Sequence, residues 1–261
     1  MRNGKLTVSS HFRTHYYPNG IRGGKKALTH SALAGDKATS EYYNSLPLHN
    51  GDRLSTEEFM RICESDPRLK KVELIGGIVR MAPVGFDHGN THVAMGGWLY
   101  YYAIHTFGCA VGADVTWEMF GDRPQPDQHL RILPEYGGKS KVHGKYGAGA
   151  PELIVEVGDS SITTDLGEKK ELYHRAGADE YIVIDLPNEE VHWLVRAGRQ
   201  YKHLRPDKSG VFRSRVFPGL WFNSRAYFAN RGLDIIKTLD KGVKSRGHAA
   251  FVRKLAAAKK K

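Results

Sequence analysis

Pro151-Glu152-Leu153-Ile154-Val155-Glu156-Val157 is the densest apolar run in the chain, and its reading decides the class of fold. A run this continuous fits a strand in the middle of a sheet covered on both faces, where polar and apolar residues need not alternate. Tyr181-Ile182-Val183-Ile184-Asp185 repeats the theme downstream. Between the two, Ser160 or Ser161 can cap a helix that runs to about Ala176, and Gly177 supplies the stop. Strand, helix and buried strand in succession predict an α/β domain with a mixed sheet.

Working upstream, Asp127 to Leu133 and Ala113 to Phe120 read as strands, separated by the loop residues Gly121 to Pro126. The Gly- and Lys-rich stretch from Pro134 to Ala150 reads as a mobile loop. From Asp87 to Thr106 the pattern is helical, with Val93, Gly97, Tyr100, Tyr101 and Ile104 mostly three and four apart. Val72 to Ile75 and Ile78 to Met81 flank Gly76-Gly77, a hairpin signature. Ser55 with Glu58 forms a capping box for a helix to about Cys63. Downstream, Val191 to Val195, Tyr201 to Leu204 and Val211 to Val216 predict an antiparallel meander.

The net charge of +11 is unevenly spread: residues 1–45 carry +5, residues 224–261 carry +9, and the span between carries −3. We therefore expect a basic, flexible extension over 1–45, a folded domain over 46–223, and a basic, partly helical tail over 224–261. Lys254, Lys259, Lys260 and Lys261 could follow a phosphate backbone without reading sequence, although charge alone fits a solubilising end better. No apolar stretch is long enough for a membrane span, and we expect no secretory leader. Two cysteines, Cys63 and Cys109, make neither a disulfide framework nor a zinc knuckle, so the expected compartment is the reducing cytoplasm.

Two acids stand at odd places. Glu156 lies inside an apolar strand, and Asp127 follows Pro126 at the entry to another. A carboxylate so placed is expensive to desolvate without a partner, and a hard divalent cation such as Mg²⁺ is one such partner. A polar strand end facing solvent or an arginine is another, and the strand alone leaves both open. The spacing of His88 and His92 suits zinc, but Gly89 stands where a zinc-protease helix needs glutamate and there is no third ligand, so a core or capping role is expected. The run Tyr100-Tyr101-Tyr102 is expected to pack and cap its helix. Gly138-Lys139-Ser140 lacks the first glycine of a phosphate-binding loop.

Taken in order, a further set of pieces forms a series. It runs Gly51-Asp52-Arg53-Leu54-Ser55-Thr56-Glu57-Glu58-Phe59, Val72-Glu73-Leu74-Ile75-Gly76-Gly77-Ile78-Val79, His88, Pro126-Asp127, Ala150 through Val157, Asp165-Leu166-Gly167-Glu168-Lys169, Tyr173, Gly177 and Glu180 through Asp185. In this series the chain resembles the Uma-type restriction endonucleases, a branch of the PD-(D/E)XK nuclease superfamily, from about Leu46 to Asn223.

The resemblance implies a restriction-endonuclease-like core: a four-stranded mixed sheet flanked by helices. It also implies a metal-dependent endonuclease that hydrolyses phosphodiester bonds, with DNA as the first expected substrate and RNA left open, and with Mg²⁺ or Mn²⁺ as cofactor. Asp127 and Glu156 match the superfamily's metal-holding acids, and Glu73 matches an acid that completes the metal shell. His88 matches a supporting position, and Asp165 is read as support for the helix start. The pattern departs at Gly158, where the superfamily has lysine. Lys169 on the following helix matches the migrated lysine, with Lys170 about 100° away around the helix. Nucleases of the superfamily often act as homodimers. The rival expectations are a catalytically decayed nucleic-acid-binding protein, a scaffold whose basic ends hold acidic partners, and a hydrolase of small phosphoesters.

Overall fold

Residues 46–259 are described by the structure, a computed structural model. Residues 1–45, with the expected extension, and Lys260 and Lys261 lie outside the described residues. The first helix, α1 (Thr56–Ser65), starts where Ser55 Oγ accepts the Glu58 N–H at 3.2 Å, and it buries Phe59. Strands β1 (Glu73–Ile75) and β2 (Ile78–Arg80) form the expected hairpin, with Gly76 and Gly77 at φ +59° and +72°, as this tight turn demands. Helix α2 (Phe86–Ile104) follows and buries Met95, Trp98, Leu99 and Tyr102.

The next region departs from expectation. The 113–120 stretch is not one strand, because Asp114 and Phe120 adopt positive φ (+53° and +51°) and interrupt it. Instead β3 (Cys109–Gly112) precedes a two-residue β4 (Trp117–Glu118), and β5 (Gln128–Ile132) follows. Pro134 to Ala150 is no structureless loop. Its strands β6 (Lys141–His143) and β7 (Tyr146–Ala148) form a three-stranded sheet with β4, and Gly147 lets β7 lie flat against the Trp117 ring.

Strand β8 (Leu153–Gly158) is buried at every position. A helical segment, α3, spans 162–176. It opens without a side-chain cap, contains a π turn at Asp165–Lys169, and ends at Gly177 with φ +93°. Strand β9 (Glu180–Asp185) is also wholly buried. β10 (Glu190–Ala197) and β11 (Gln200–His203) continue as a meander. The third expected strand, β12 (Val211–Arg213), leaves it to pair with β13 (Trp221–Asn223).

The main sheet has six strands rather than four, in the order β11-β10-β9-β8-β5-β3. Strands β8 and β9 are its parallel pair, joined by α3, and every other pairing in this sheet is antiparallel. Burial on both faces explains the unbroken apolar run of β8. Leu153 and Val155 belong to one core with α2, while Ile154 belongs to a second with Leu172 and Tyr173 of α3. Each such side chain, fully removed from water, contributes about 1.5–3 kcal/mol.

The basic C-terminal segment is not a loose tail over its described part. It forms α4 (Ser224–Phe228), α5 (Gly232–Val243) and α6 (Arg246–Ala258). These helices close the first core with Leu239, Phe251 and Leu255. They are bonded to α2 through Thr91 to the Tyr227 hydroxyl (2.6 Å) and the Tyr101 hydroxyl to Asp240 (3.1 Å), and to the turn after it through Thr106 to His248 (2.9 Å).

Candidate active site

Sheet register brings the two distant acids together. Antiparallel pairing sets Gln128 opposite Val155, so Asp127, one residue earlier, arrives beside Glu156. The backbone N–H of Asp127 points at Glu156 Oε2 at 3.4 Å, and the N–H of Val157 donates to Asp127 Oδ2 at 2.7 Å. Both carboxylates are buried. Each is tied to the backbone of the other's strand and lines one cavity of about 250 Å³, which Glu73, His88, Asp165 and Lys169 also line.

Lys169 enters this cavity from α3. Its Nζ lies 2.9 Å from Glu73 Oε2, 3.0 Å from Glu156 Oε1 and 3.7 Å from Asp165 Oδ1. The π turn carries an extra residue in this stretch and aims Lys169 inward. Lys170 points elsewhere and pairs with Glu171 at 3.7 Å, which settles which lysine meets the acids. Tyr173, one turn further on the same helix face, donates its hydroxyl to Glu156 Oε1 at 2.7 Å. Glu73 is itself held by the Gln125 N–H at 2.7 Å.

The electrostatics follow from two ammonium groups, Lys169 and Lys71, set among several acids. Burial opposes the charge on Lys169, but Glu156, Glu73 and Asp165 together overcome it and hold its pKa well above the usual lysine value. Glu156 is pushed well above the carboxylate range, by burial first and by its acidic neighbours, with Lys169 working the other way. Asp165 is raised for the same reasons, although Ser161 donates to it at 2.6 Å. Asp127 goes the other way. Burial would raise it, but the His88 hydrogen bond and the Lys71 charge hold it well below the ordinary range.

Around Asp127 stand Lys71 and Asp114, which sequence reading missed, with His88 and His92. Lys71 Nζ stands 2.7 Å from Asp127 Oδ1 and 3.1 Å from Asp114 Oδ1. His88 Nε2 lies 3.2 Å from the same Asp127 oxygen, and His92 Nε2 lies 3.4 Å from Asp114 Oδ2. His88 and His92 do share a helix face, with rings 6.3 Å apart, but that face looks into the site and is not simply core. Lys71 and Asp114 carry no periodic or motif signal; both sit at positive φ in loops, outside any pattern. Tyr173 was legible only as part of the series, without a role; its spacing of four from Lys169 is the signal that could have placed it at the site.

The donors fit a hard divalent ion. Asp127 and Glu156 present carboxylate oxygens, and Asp127 Oδ1 already draws a positive charge, the Lys71 ammonium, into contact. Among the described residues, His92, Asp114 and Asp127 offer ligand atoms that all lie within 4.8 Å of one another; Glu156 stands outside that group. Lys259 is elsewhere. It lies over the Phe107 ring at 5.8 Å, past the C-terminal end of α2, whereas His88 meets the site at the other end of this helix, about 28 Å long. Lys254 sits exposed on α6.

A mixed sheet with flanking helices, and a pocket of acids with Lys169 and Lys71 among them at the end of its central strands, define a nuclease fold of the restriction-endonuclease-like class. The chain belongs to the Uma2 family, described as "putative restriction endonuclease", whose profile matches residues 56–226. A crystal structure of a "putative nuclease belonging to DUF820" from Anabaena variabilis ATCC 29413 shares the fold. Its TM-score is 0.50 at 12% identity, over 71% of this chain and 99% of that one. No curated protein matches the sequence.

Proposed function

We propose that this protein is a metal-dependent endonuclease that hydrolyses phosphodiester bonds in DNA, with Mg²⁺ or Mn²⁺ as its ion. One observation carries the reading: the Lys169 ammonium lies within 3.0 Å of both Glu156 and Glu73, in the pocket where Asp127 crosses over to Glu156. A divalent ion held by Asp127 and Glu156, with Glu73 completing its shell, would supply Lewis acidity and a more acidic water. The chain's own residues do the rest. Lys169, kept protonated by its acids, places positive charge where the phosphorane-like transition state gathers negative charge. Tyr173 fixes the Glu156 carboxylate, and His88 and Lys71 keep Asp127 ionised. The family description supports DNA over RNA, and the free thiols of Cys63 and Cys109 agree with action in the reducing cytoplasm. Lys254 and Lys259 would add phosphate contacts away from the cavity.

The test is plasmid DNA incubated with purified protein and Mg²⁺ or Mn²⁺ over a range of salt. Nicking or linearisation that is lost in Asp127→Ala supports the reading, and intact plasmid in every condition overturns it. A second reading has its own observation. The Lys71 ammonium fills the contact at Asp127 Oδ1 that an ion would need, as in a decayed site that only retains nucleic acid. Metal-independent DNA retention without cleavage is the outcome that would favour it.

A further inference from the structure

Helix α2 is covered along one side by the C-terminal helices and touches the site with His88 and His92. Among the described residues nothing covers its outer side, and the exposed positions there follow a regular order. Asn90, Val93, Gly97, Tyr100 and Ile104 are exposed and follow one another at spacings of three, four, three and four, and the next step of three reaches Phe107 just past the helix end. This is the 3.5-residue repeat of a two-helix seam. The apolar members are far from marginal in their exposure: Val93 73%, Tyr100 60%, Ile104 59% and Phe107 70%. No Lys, Arg or Glu occurs from Phe86 to Phe107, in a chain that is 26% charged.

The helix itself supplies no cation along the strip, and Lys259, over the Phe107 ring, lies past its end, so the strip from Val93 to Ile104 is not built to face phosphate. An apolar strip of this extent is uncommon on a lone protein. Gly97 stands at its midpoint, and a Cβ built there meets nothing within 4 Å, so a second helix could approach the backbone closely. Asn90 occupies the kind of seam position at which a polar residue fixes register. The pattern is self-complementary, which is what a two-fold interface between identical chains requires.

We propose that this seam is where two copies of the chain pair, α2 against α2. With about 150–250 Å² for each aromatic side chain, scaled by exposure, and less for the aliphatics, the two faces bury on the order of 1,000 Å² in total. That is the lower end of specific interfaces, so the pairing is modest in strength and depends on concentration. The inference does not rest on nuclease activity, and its test reads mass.

Sedimentation of the full chain at concentrations up to on the order of 100 μM is expected to show a species of twice 29.2 kDa. A Val93→Glu, Tyr100→Glu double variant alters only exposed positions and is expected to sediment as a monomer with unchanged circular dichroism. Gly97→Cys, placed at the middle of the seam, is expected to give a covalent dimer on mild oxidation, beyond any background from Cys63 and Cys109 in the parent. A parent that stays at 29.2 kDa throughout overturns the proposal. So does a dimer that the double variant leaves intact. Strong hydrogen-exchange protection of 90–104 in a monomer would overturn it in favour of cover by the chain's own residues.

Discussion

Lys169 Nζ lies 3.0 Å from Glu156 Oε1, thirteen residues earlier in the chain, and a π turn is what brings it there. Lys169→Met is expected to lower cleavage at least 10²-fold, as for loss of one group that stabilises transition-state charge. It also leaves buried acids without their cation, which costs about 3–5 kcal/mol at neutral pH. Lys170→Met, beside it but half-exposed, should leave the cleavage rate within about twofold, inside the small effects of surface change. Single-turnover rates and urea melts of the two variants check both halves.

Tyr173→Phe removes the hydroxyl that donates to Glu156 and leaves the ring in its core. Loss of a group that orients a metal ligand weakens metal binding about 10–100-fold. The Mn²⁺ concentration for half-maximal cleavage should rise accordingly while the melting temperature moves little. Unchanged Mn²⁺ dependence would remove Tyr173 from the site's working parts.

Lys71 competes for the Asp127 oxygen that would bind an ion. Lys71→Ala is expected to tighten Mn²⁺ binding on the order of tenfold, about 1.4 kcal/mol, read by calorimetry. In the parent, Mg²⁺ or Mn²⁺ at 100 times its dissociation constant should stabilise the fold by about 2.7 kcal/mol, with EDTA reversing the shift and Asp127→Ala showing none.

His129 is buried edge-on against the Trp117 ring, and burial, aided by Arg131, pushes its pKa from 6.5 down to about 4. The unfolded chain therefore binds a proton between these values that the folded chain refuses. Its contribution is intact above pH 6.5 and is lost as pH falls towards 4, by up to about 3 kcal/mol. His129→Asn should flatten the stability profile over that window, measured by chemical denaturation at stepped pH.

Gly158 leaves no room for the lysine that the resemblance places two residues after Glu156. A Cβ there would lie 2.7 Å from Ile162 Cδ1 and 3.3 Å from Val183 Cγ1, because the start of α3 packs on that face of β8. Gly158→Lys, which restores the superfamily's spacing, is expected to cost about 1–3 kcal/mol through overpacking, and it should not rescue Lys169→Met.

The sequence revealed most where burial wrote a pattern. The apolar runs of β8 and β9, the Gly76-Gly77 hairpin and the Gly177 stop are each dictated by local chemistry, so they could be read one residue at a time. Asp127 and Glu156 stood out because charge in or beside such runs is anomalous, whereas Glu73 and Lys169 were assigned only through the family resemblance. The two-residue strand β4 could not be read, since positive φ at Asp114 and Phe120 has no glycine to announce it. Nor could Lys71 and Asp114, whose place at the site comes from loops crossing in space. The packed C-terminal helices were hidden under a basic composition, because their buried stripe of Leu239, Phe251 and Leu255 is narrow.

The site draws Glu73 from a hairpin, Asp127 from a loop, Glu156 from a central strand and Lys169 from the helix beyond it. A ribosome delivers these in order, over roughly a hundred residues of chain, and β8 finds its parallel partner only after α3 has emerged. A half-made chain therefore holds carboxylates without their ammonium and without their pocket. The pocket is complete only once synthesis has passed residue 185, so the site cannot assemble from any shorter amino-terminal piece of the chain.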